Sequence, residues 1–154
     1  MQDFPHHYTV SAAVETQGDI ELHAAHVPNL PTAPPAEFDG PGDHWSPETL
    51  LVGALVDCFV ITFRGVARAS QLPWTSVRCD VTGTLERIDR ATQFTTFQLH
   101  AHLDVPVGTS VEHAQRVLEK AEHSCLITNS LRGAVRLVSE IEVAAELASE
   151  LAKA

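Results

Sequence analysis

The sequence predicts an α+β fold, arranged as one domain over residues 1–154, and two kinds of pattern support this class. Residues 77–81 and 97–105 alternate apolar and polar side chains at period two, which is the pattern of half-buried strands. Residues 50–63 are apolar on nearly every side and contain one charged residue, Asp57, which predicts a long buried helix. A chain of this length can bury most of the surface that its unfolded form exposes.

The first third of the chain predicts a β-hairpin followed by a long loop. Residues 8–14 and 20–24 alternate loosely around Gly18, which favours two strands joined by a turn. Residues 27–43 are rich in proline and glycine. A loop of this length is often functional, but a passive crossing over the outside of the domain is an equal alternative.

The central helix is predicted to begin at Ser46-Pro47-Glu48. The Ser46 hydroxyl can accept a hydrogen bond from a free backbone N–H, and Pro47 is favourable at the first helical position. Glu48 in the first turn suits the positive end of the helix dipole. Because one small domain cannot cover a helix that is apolar on all sides, we expect a second copy to complete its burial.

The second half of the chain predicts a sheet with two further helices. The two long strands join near Asp89-Arg90, and residues 110–122 form an amphipathic helix with Ser110 as its cap. We also expect a short helix from Ser124, a closing strand over residues 135–143, and a weak terminal helix over residues 144–154.

The composition excludes several classes of protein. The formal net charge is −10, and no lysine or arginine precedes Arg64, which argues against nucleic-acid binding. No run of about 18 apolar residues is present, so we expect no membrane span. The N-terminus lacks the pattern of a signal peptide, and the three cysteines are expected to be reduced thiols in the cytoplasm.

Two cysteines lie in settings that suggest chemistry. Cys58 lies within the predicted central helix, and Cys125 follows Ser124 where we expect another helix to begin, so backbone N–H groups there would favour a thiolate. Each has a structural alternative, since a free cysteine also packs as a small core residue. Cys79 alternates with Val77 and Val81, and we expect it to be a core residue.

The two cysteine segments resemble the OsmC/Ohr family of thiol-dependent organic hydroperoxide reductases, and most of all its broader OsmC-like branch. The resemblance covers nearly the whole chain in element order. The matching residues are Ser46-Pro47-Glu48, Leu50-Leu51 and Cys58-Phe59, then Lys120-Ala121, Cys125, Asn129 and Leu131.

The resemblance implies antiparallel β-sheets wrapped around a long central helix in an intertwined homodimer, with the active site at the interface. Cys58 would attack an organic hydroperoxide and become a sulfenic acid, and Cys125 would resolve it as a disulfide. An external thiol or dithiol would reduce that disulfide, and no cofactor is implied. The apolar neighbours of Cys58 would favour alkyl or lipid peroxides over hydrogen peroxide.

Glu48 is the third residue that the resemblance places in the active site. On one straight helix it would lie about 15 Å along the axis from Cys58 and point about 80° away. If Glu48 serves Cys58, we therefore expect it to come from the partner chain. The alternative is simple stabilisation of the helix end.

The sequence departs from the family in one respect, because the loop before the central helix contains no arginine. In the peroxidatic members such an arginine stabilises the thiolate, and here Glu37 occupies one place where it is expected. His44, or Arg64 and Arg68 from a partner chain, are the candidate substitutes. Burial and the neighbouring Asp57 would raise the pKa of Cys58, so we expect slow reaction with peroxide and faster reaction if arginine replaced His44 or Glu37.

The missing arginine supports an alternative function without catalysis. In this alternative the chain is an OsmC-like dimer that binds a small apolar or thiol ligand, or that senses redox state. We expect no metal site, since Cys58, Cys125, His123 and His44 lack a metal-binding spacing. His100 and His102 share the polar face of a strand and are interpreted as solvated.

Overall fold

A computed structural model describes residues 3–145, and the chain divides into two compact units, one up to Leu51 and one from Val52 onward. The first unit contains a three-stranded antiparallel sheet in the order β1-β2-β3. Its strands are β1 (Val10–Ala13), β2 (Ile20–Ala24) and β3 (Leu30–Thr32). The predicted hairpin is β1-β2.

The strand β3 lies inside the segment that the sequence predicted to be a loop. It is an edge strand of three residues, and its Pro31 lies opposite Glu21 of β2. An edge strand tolerates proline because one side of it needs no ladder hydrogen bonds. The segment was predicted as a loop because three residues are too few to show alternation.

The helix α1 (Pro47–Ala69) begins where the sequence predicted. The Ser46 hydroxyl accepts a hydrogen bond from the Thr49 N–H at 3.2 Å, and the Ser46 N–H donates to the Thr49 hydroxyl at 2.8 Å. This reciprocal pair satisfies backbone groups at the helix start as a capping box does. Ser46 is only 1% exposed, so no water can replace these bonds.

Replacing Ser46 with alanine is therefore expected to lower the free energy of unfolding by about 1 kcal/mol. The Ser46→Ala variant leaves the Thr49 N–H without its acceptor, and urea denaturation measures the loss. Ser110→Ala, at the cap of the next helix, is the matched change at an exposed cap. If Ser46→Ala unfolds at the wild-type midpoint, the cap does not stabilise α1.

The second unit is built on a three-stranded sheet in the order β4-β5-β6. Strand β4 (Ser76–Ile88) and strand β5 (Ala91–Val105) form an antiparallel ribbon. Asp89 and Arg90 join them with φ angles of 48° and 70°. Two positive φ angles in a two-residue connection are typical of the hairpin turn that matches strand twist.

Strand β6 (Ala134–Val143) is parallel to β5, so this sheet is mixed rather than purely antiparallel as expected. The chain leaves the end of β5, forms the helix α2 (Val111–Ser124), and returns to the end of the sheet where β5 began. A strand that follows such a crossover runs parallel to the strand before it. Ser110 caps α2 as predicted, and its hydroxyl accepts from the His113 N–H at 3.1 Å. The α+β class is confirmed.

The short helix predicted from Ser124 is instead the end of α2, followed by a single 3₁₀ turn at Thr128–Ser130. The predicted helix over residues 144–154 falls almost entirely outside the described residues. Ala144 is described, and its N–H donates to the Val105 carbonyl at 2.9 Å.

The core of the second unit lies between its sheet and its helices. One face of α1 is fully buried, and so are alternate residues of β5 and one face of α2. These core residues are Leu55, Phe59, Phe63 and Ala67 of α1, Phe97, Leu99, Ala101, Leu103 and Val105 of β5, and Ala114, Val117, Leu118 and Ala121 of α2. The period-two and helical patterns of the sequence both point to this layer.

The opposite face of α1 is exposed, and its apolar residues lie among the charged residues Asp57, Arg64 and Arg68. Ile61 is 58% exposed, and Leu51 and Ala54 are also exposed. By length and composition α1 could cross a membrane, which corrects the expectation drawn from uninterrupted apolar runs. A core helix of a soluble protein passes the same test, and one face of α1 packs in the core, so the finding assigns no membrane location.

Candidate active site

Cys58 lies on α1 at the edge of its buried face, and its thiol is half-buried. The Thr62 hydroxyl, one helical turn later, lies 4.0 Å from the Cys58 sulfur. The spacing of four residues places both side chains on the same side of the helix. The flanking core residues Leu55 and Phe59 make this an apolar setting with one hydroxyl group in it.

Cys125 follows the last residue of α2 and is completely buried. Its N–H donates to the Glu122 carbonyl at 3.2 Å, and its carbonyl accepts from the Asn129 N–H at 3.1 Å. The Asn129 side chain donates to the His123 carbonyl at 3.1 Å. The end of α2 and the turn that follows it are thereby fixed to each other, and Cys125 lies at their junction.

The fold brings the two thiols close enough for each to shift the pKa of the other, and both are free. Cys58 comes from the middle of α1 and Cys125 from the end of α2, two elements that pack in the same core. The third cysteine lies elsewhere, on β4, and its sulfur lies 3.9 Å from the Asp80 carbonyl. The structure therefore pairs two thiols and separates the third.

The pKa values of the two paired thiols are shifted in opposite directions. Burial raises the pKa of Cys58, but hydrogen bonds from the Ile127 N–H, the Cys125 thiol, the Thr62 hydroxyl and the Leu126 N–H outweigh burial and lower that pKa below the ordinary value. Burial also raises the pKa of Cys125, and the Thr128 N–H does not offset burial and the nearby Cys58. Cys58 is therefore the thiol of the pair that ionises first.

Two expectations from the sequence are wrong here. Burial raises the pKa of Cys58 as expected, but the expected net direction is wrong, because Asp57 is not among the main causes and the hydrogen-bond donors outweigh burial. Cys125 was expected at the start of a helix, where its thiolate would be favoured. It lies at the end of α2 instead, and the pKa of its thiol is raised.

Cys79 was expected to be a core residue, and it packs against the core of the second unit. Burial, and then the Asp80 carboxylate, raise the pKa of Cys79 to about 12. A thiol with that pKa is almost entirely protonated at neutral pH and is a poor nucleophile. Cys79 is thus a natural internal control for the paired thiols.

Glu48 lies in the first turn of α1 and is half-buried. Its Oε2 atom is buried and has no hydrogen-bond partner within the described residues. A buried carboxylate oxygen without a partner costs free energy unless another group supplies a donor. Cys58 lies ten residues further along the same helix, so the separation of about 15 Å expected from helix geometry applies.

His44 is held between two carboxylates of the first unit. Its Nδ1 atom lies 2.6 Å from an Asp43 oxygen, and its Nε2 atom lies 3.3 Å from an Asp19 oxygen. The hydrogen bond with Asp43, and then the Asp19 charge, raise the pKa of His44 against the effect of burial. The imidazolium is thus stabilised by neighbours of opposite charge.

Arg64 and Arg68 are exposed on α1, and neither forms an ion pair with any residue in the range 3–145. They line an open cavity of about 530 Å³ together with Ile61, Gly65 and Trp74. The Trp74 ring packs edge-on against Phe63 of the core, with ring centroids 5.4 Å apart. These arginines are not among the main groups that shift the pKa of Cys58 within one chain.

The other histidines show no metal-binding arrangement. Among the described residues, no three histidine, cysteine, aspartate or glutamate side chains are placed to hold a metal ion. His123 contacts the Glu119 carbonyl at 2.7 Å and the Glu122 carboxylate at 3.2 Å. His102 lies 3.1 Å from the Glu140 carboxylate.

The sequence did not reveal that the N–H groups of Leu126 and Ile127 act on Cys58. A backbone N–H has no side-chain signature, so composition and spacing could not identify these donors. The one visible signal was Thr62, whose hydroxyl comes four residues after Cys58 in the largely apolar segment 50–63.

The chain is similar to several known proteins. Residues 40–140 match the family described as OsmC-like protein. YmaD, an uncharacterized protein of Bacillus subtilis, is 28% identical over 115 residues, which cover 71% of this chain and 75% of YmaD. Two solved structures share the fold. An OsmC-like protein of Vibrio cholerae has a TM-score of 0.78 and 16% identity, covering 89% of this chain and 99% of its own. An organic hydroperoxide resistance protein of Legionella pneumophila has a TM-score of 0.72 and 24% identity, and the match covers 92% of this chain and 100% of that protein.

Proposed function

Because the chain belongs to the OsmC-like protein family, we propose that it is a thiol-dependent peroxidase that reduces organic hydroperoxides. One observation carries the proposal, namely the proximity of two free thiols whose pKa values are shifted in opposite directions. A thiol peroxidase needs one thiol that ionises easily and a second, protonated thiol within reach of it. Cys58 and Cys125 supply these two properties.

The first step oxidises Cys58. Its thiolate attacks the outer oxygen of ROOH, the O–O bond breaks, and RO⁻ leaves and takes up a proton to become the alcohol. The two electrons come from the sulfur, which becomes a sulfenic acid. The hydrogen bonds that lower the pKa of Cys58 keep a larger fraction of it as the reactive thiolate at neutral pH.

The second step forms a disulfide and the third removes it. Cys125 attacks the Cys58 sulfenic acid, an S–S bond forms, and the hydroxyl of the sulfenic acid leaves as water. Two external thiols, or one dithiol, then reduce the disulfide and are themselves oxidised to a disulfide. Cys125 is completely buried, so the reductant would first attack the sulfur of Cys58, which is half-buried.

We propose that the working form is a homodimer. The support is the exposed apolar face of α1, which a second copy would cover, and the unpartnered Oε2 of Glu48. In this proposal Glu48 of one copy serves the Cys58 site of the other. An organic hydroperoxide suits the site better than hydrogen peroxide, because Leu55 and Phe59 give the surroundings of Cys58 an apolar character.

The test of catalysis measures loss of cumene hydroperoxide in the presence of excess dithiothreitol. The peroxidase is expected to consume many equivalents of peroxide for each chain. Hydrogen peroxide at the same concentration is expected to react more slowly. Consumption that stops at one equivalent in the presence of the reductant would favour the redox-sensing alternative instead.

Disulfide pairing provides a second prediction. One equivalent of cumene hydroperoxide, added without reductant, is expected to link Cys58 to Cys125 and to leave Cys79 as a free thiol. The reasons are the proximity of the first two thiols and the pKa of about 12 of the third. Peptide mapping by mass spectrometry measures the pairing. A disulfide that includes Cys79, or no disulfide at all, would contradict the two-cysteine mechanism.

A further inference from the structure

Glu37, Phe38 and Asp39 form an exposed turn before α1, which we call the acidic turn. The Phe38 ring is 52% exposed, and neither carboxylate forms an ion pair within residues 3–145. The Phe38 and Gly40 N–H groups both donate to the Pro35 carbonyl, at 2.9 Å and 3.0 Å. A Cβ atom at Gly40 would lie 1.7 Å from a carbonyl oxygen, so only glycine allows this tight turn. A turn that is fixed in advance loses little conformational entropy on binding.

The open cavity on α1, which we call the arginine cavity, has the complementary chemistry. Arg64 and Arg68 lie one helical turn apart and line it together with Ile61, Gly65 and Trp74. The exposed Ile61 and the half-buried Trp74 give it an apolar wall. At Gly65 a Cβ atom would meet nothing within 4 Å, so the surface there is open. Two unpaired cations beside an apolar wall suit an aromatic side chain that lies between two carboxylates.

The position of the arginines along α1 connects the two surfaces in the proposed dimer. Glu48 of each copy serves Cys58 of the other there, and this symmetry requires the two α1 helices to be antiparallel. Arg64 and Arg68 lie about 9 and 15 Å beyond Cys58 along the axis. The helix of the second copy begins one residue before its Glu48. Both arginines therefore extend past the start of that helix, to the level of the segment that contains the acidic turn.

We propose that the acidic turn of one copy inserts into the arginine cavity of a second copy. Phe38 packs on the apolar wall, and the carboxylates of Glu37 and Asp39 pair with the two guanidinium groups. The interface is symmetric, so each dimer makes this contact twice. The contact rests on the homodimer proposed above and names the surfaces that hold it together. It also gives the first unit the cations that it lacks, since no lysine or arginine precedes Arg64.

Asp57 is the competing acid for the arginine cavity. It is exposed on α1, seven residues before Arg64, and both lie nearly on one line along the helix. Asp57 of a second copy would face Arg64 only if the two helices crossed midway between these residues. Glu48 would then lie about 22 Å along the axis from Cys58 of the other copy. The register that brings Glu48 to Cys58 thus favours the acidic turn.

Charge reversal on the two surfaces tests the contact. The turn variant is Glu37→Arg with Asp39→Asn, because asparagine also adopts the φ of 60° found at position 39. The cavity variant is Arg64→Glu with Arg68→Glu. Each variant alone is expected to raise the dissociation constant of the dimer roughly a hundredfold or more, since like charges meet at both contacts. Sedimentation velocity of the full chain measures the dimer.

An equimolar mixture of the two variants is expected to restore the dimer. In a mixed dimer, opposite charges meet at both contacts, although each variant repels its own copies. Glu15→Arg with Glu142→Gln is the matched control for the turn variant, because it changes the net charge equally at exposed positions outside both surfaces. This control is expected to dimerise like the wild type.

Phe38→Ser repeats the test without a change of charge, and it decides the matter if the charge variants do not fold. It is expected to raise the dissociation constant roughly tenfold or more above that of Phe38→Tyr, which keeps the aromatic ring. If Phe38→Ser dimerises like Phe38→Tyr, the ring is not in the cavity and the proposed contact is overturned.

Three results with the charge variants would also overturn the contact. Both variants could dimerise like the wild type, or the mixture could stay dissociated, which would show that the charges act within one chain. In the third result, Asp57→Arg restores a dimer with the cavity variant and the turn variant does not.

Peroxide consumption is measured separately, so the contact and the proposed function can fail independently. If the wild type consumes cumene hydroperoxide catalytically and the turn variant dimerises normally, the function stands and the contact fails. If the mixture restores the dimer and no form consumes peroxide, the contact stands and the peroxidase fails. A wild-type monomer would overturn the contact together with the proposed dimer.

Discussion

Replacing Cys58 with serine is expected to reduce peroxide consumption by roughly a thousandfold or more, to the level of the buffer. A serine hydroxyl is not ionised at neutral pH and cannot reproduce the thiolate. The measurement is the loss of cumene hydroperoxide with dithiothreitol as reductant. Cys79→Ser is the matched control, and it is expected to retain the wild-type rate because Cys79 is already protonated at neutral pH.

Cys125→Ser separates the two steps of the proposed reaction. This variant keeps the attacking thiol, so its first equivalent of peroxide is expected to be consumed and its Cys58 to accumulate as a sulfenic acid. Dimedone traps that species, and the trapped mass on the Cys58 peptide is the readout. If Cys58→Ser consumes peroxide as fast as the wild type, Cys58 is not the reacting thiol.

Placing a charge on the exposed face of α1 is expected to have the second large effect. Ile61→Glu introduces a carboxylate at a side chain that is 58% exposed in the single chain and that a second copy would bury. Taking this carboxylate out of water costs several kcal/mol even with a nearby arginine, which is enough to dissociate a dimer of micromolar affinity. Sedimentation velocity at micromolar concentration is expected to show a dimer for the wild type and a monomer or aggregate for the variant.

Ile88→Glu is the matched control for this experiment. Ile88 is 44% exposed at the end of β4, away from α1 in the sequence, and the same substitution there is expected to leave the dimer intact. A stable, folded wild-type monomer at these concentrations would refute the proposed dimer. It would also leave Glu48 without a second copy to serve.

Local patterns in the sequence determined the elements that position the site. The Ser46-Pro47-Glu48 segment marked the start of α1, alternation marked β4 and β5, and Ser110 marked the start of α2. These predictions succeeded because capping and period-two burial depend on residues close together in the chain. The cysteine segments also indicated the family, which the match over residues 40–140 shows.

The tertiary structure alone decided the chemistry of the thiols. The sequence could not show that Cys125 at the end of α2 lies near Cys58 of α1, nor that N–H groups at positions 126 and 127 lower the pKa of Cys58. It therefore predicted the wrong direction for the pKa of Cys58, since it weighed burial and Asp57 without the donors. A pKa depends on every group within a few ångströms of the sulfur, and most of those groups are distant in the chain and carry no side-chain signature.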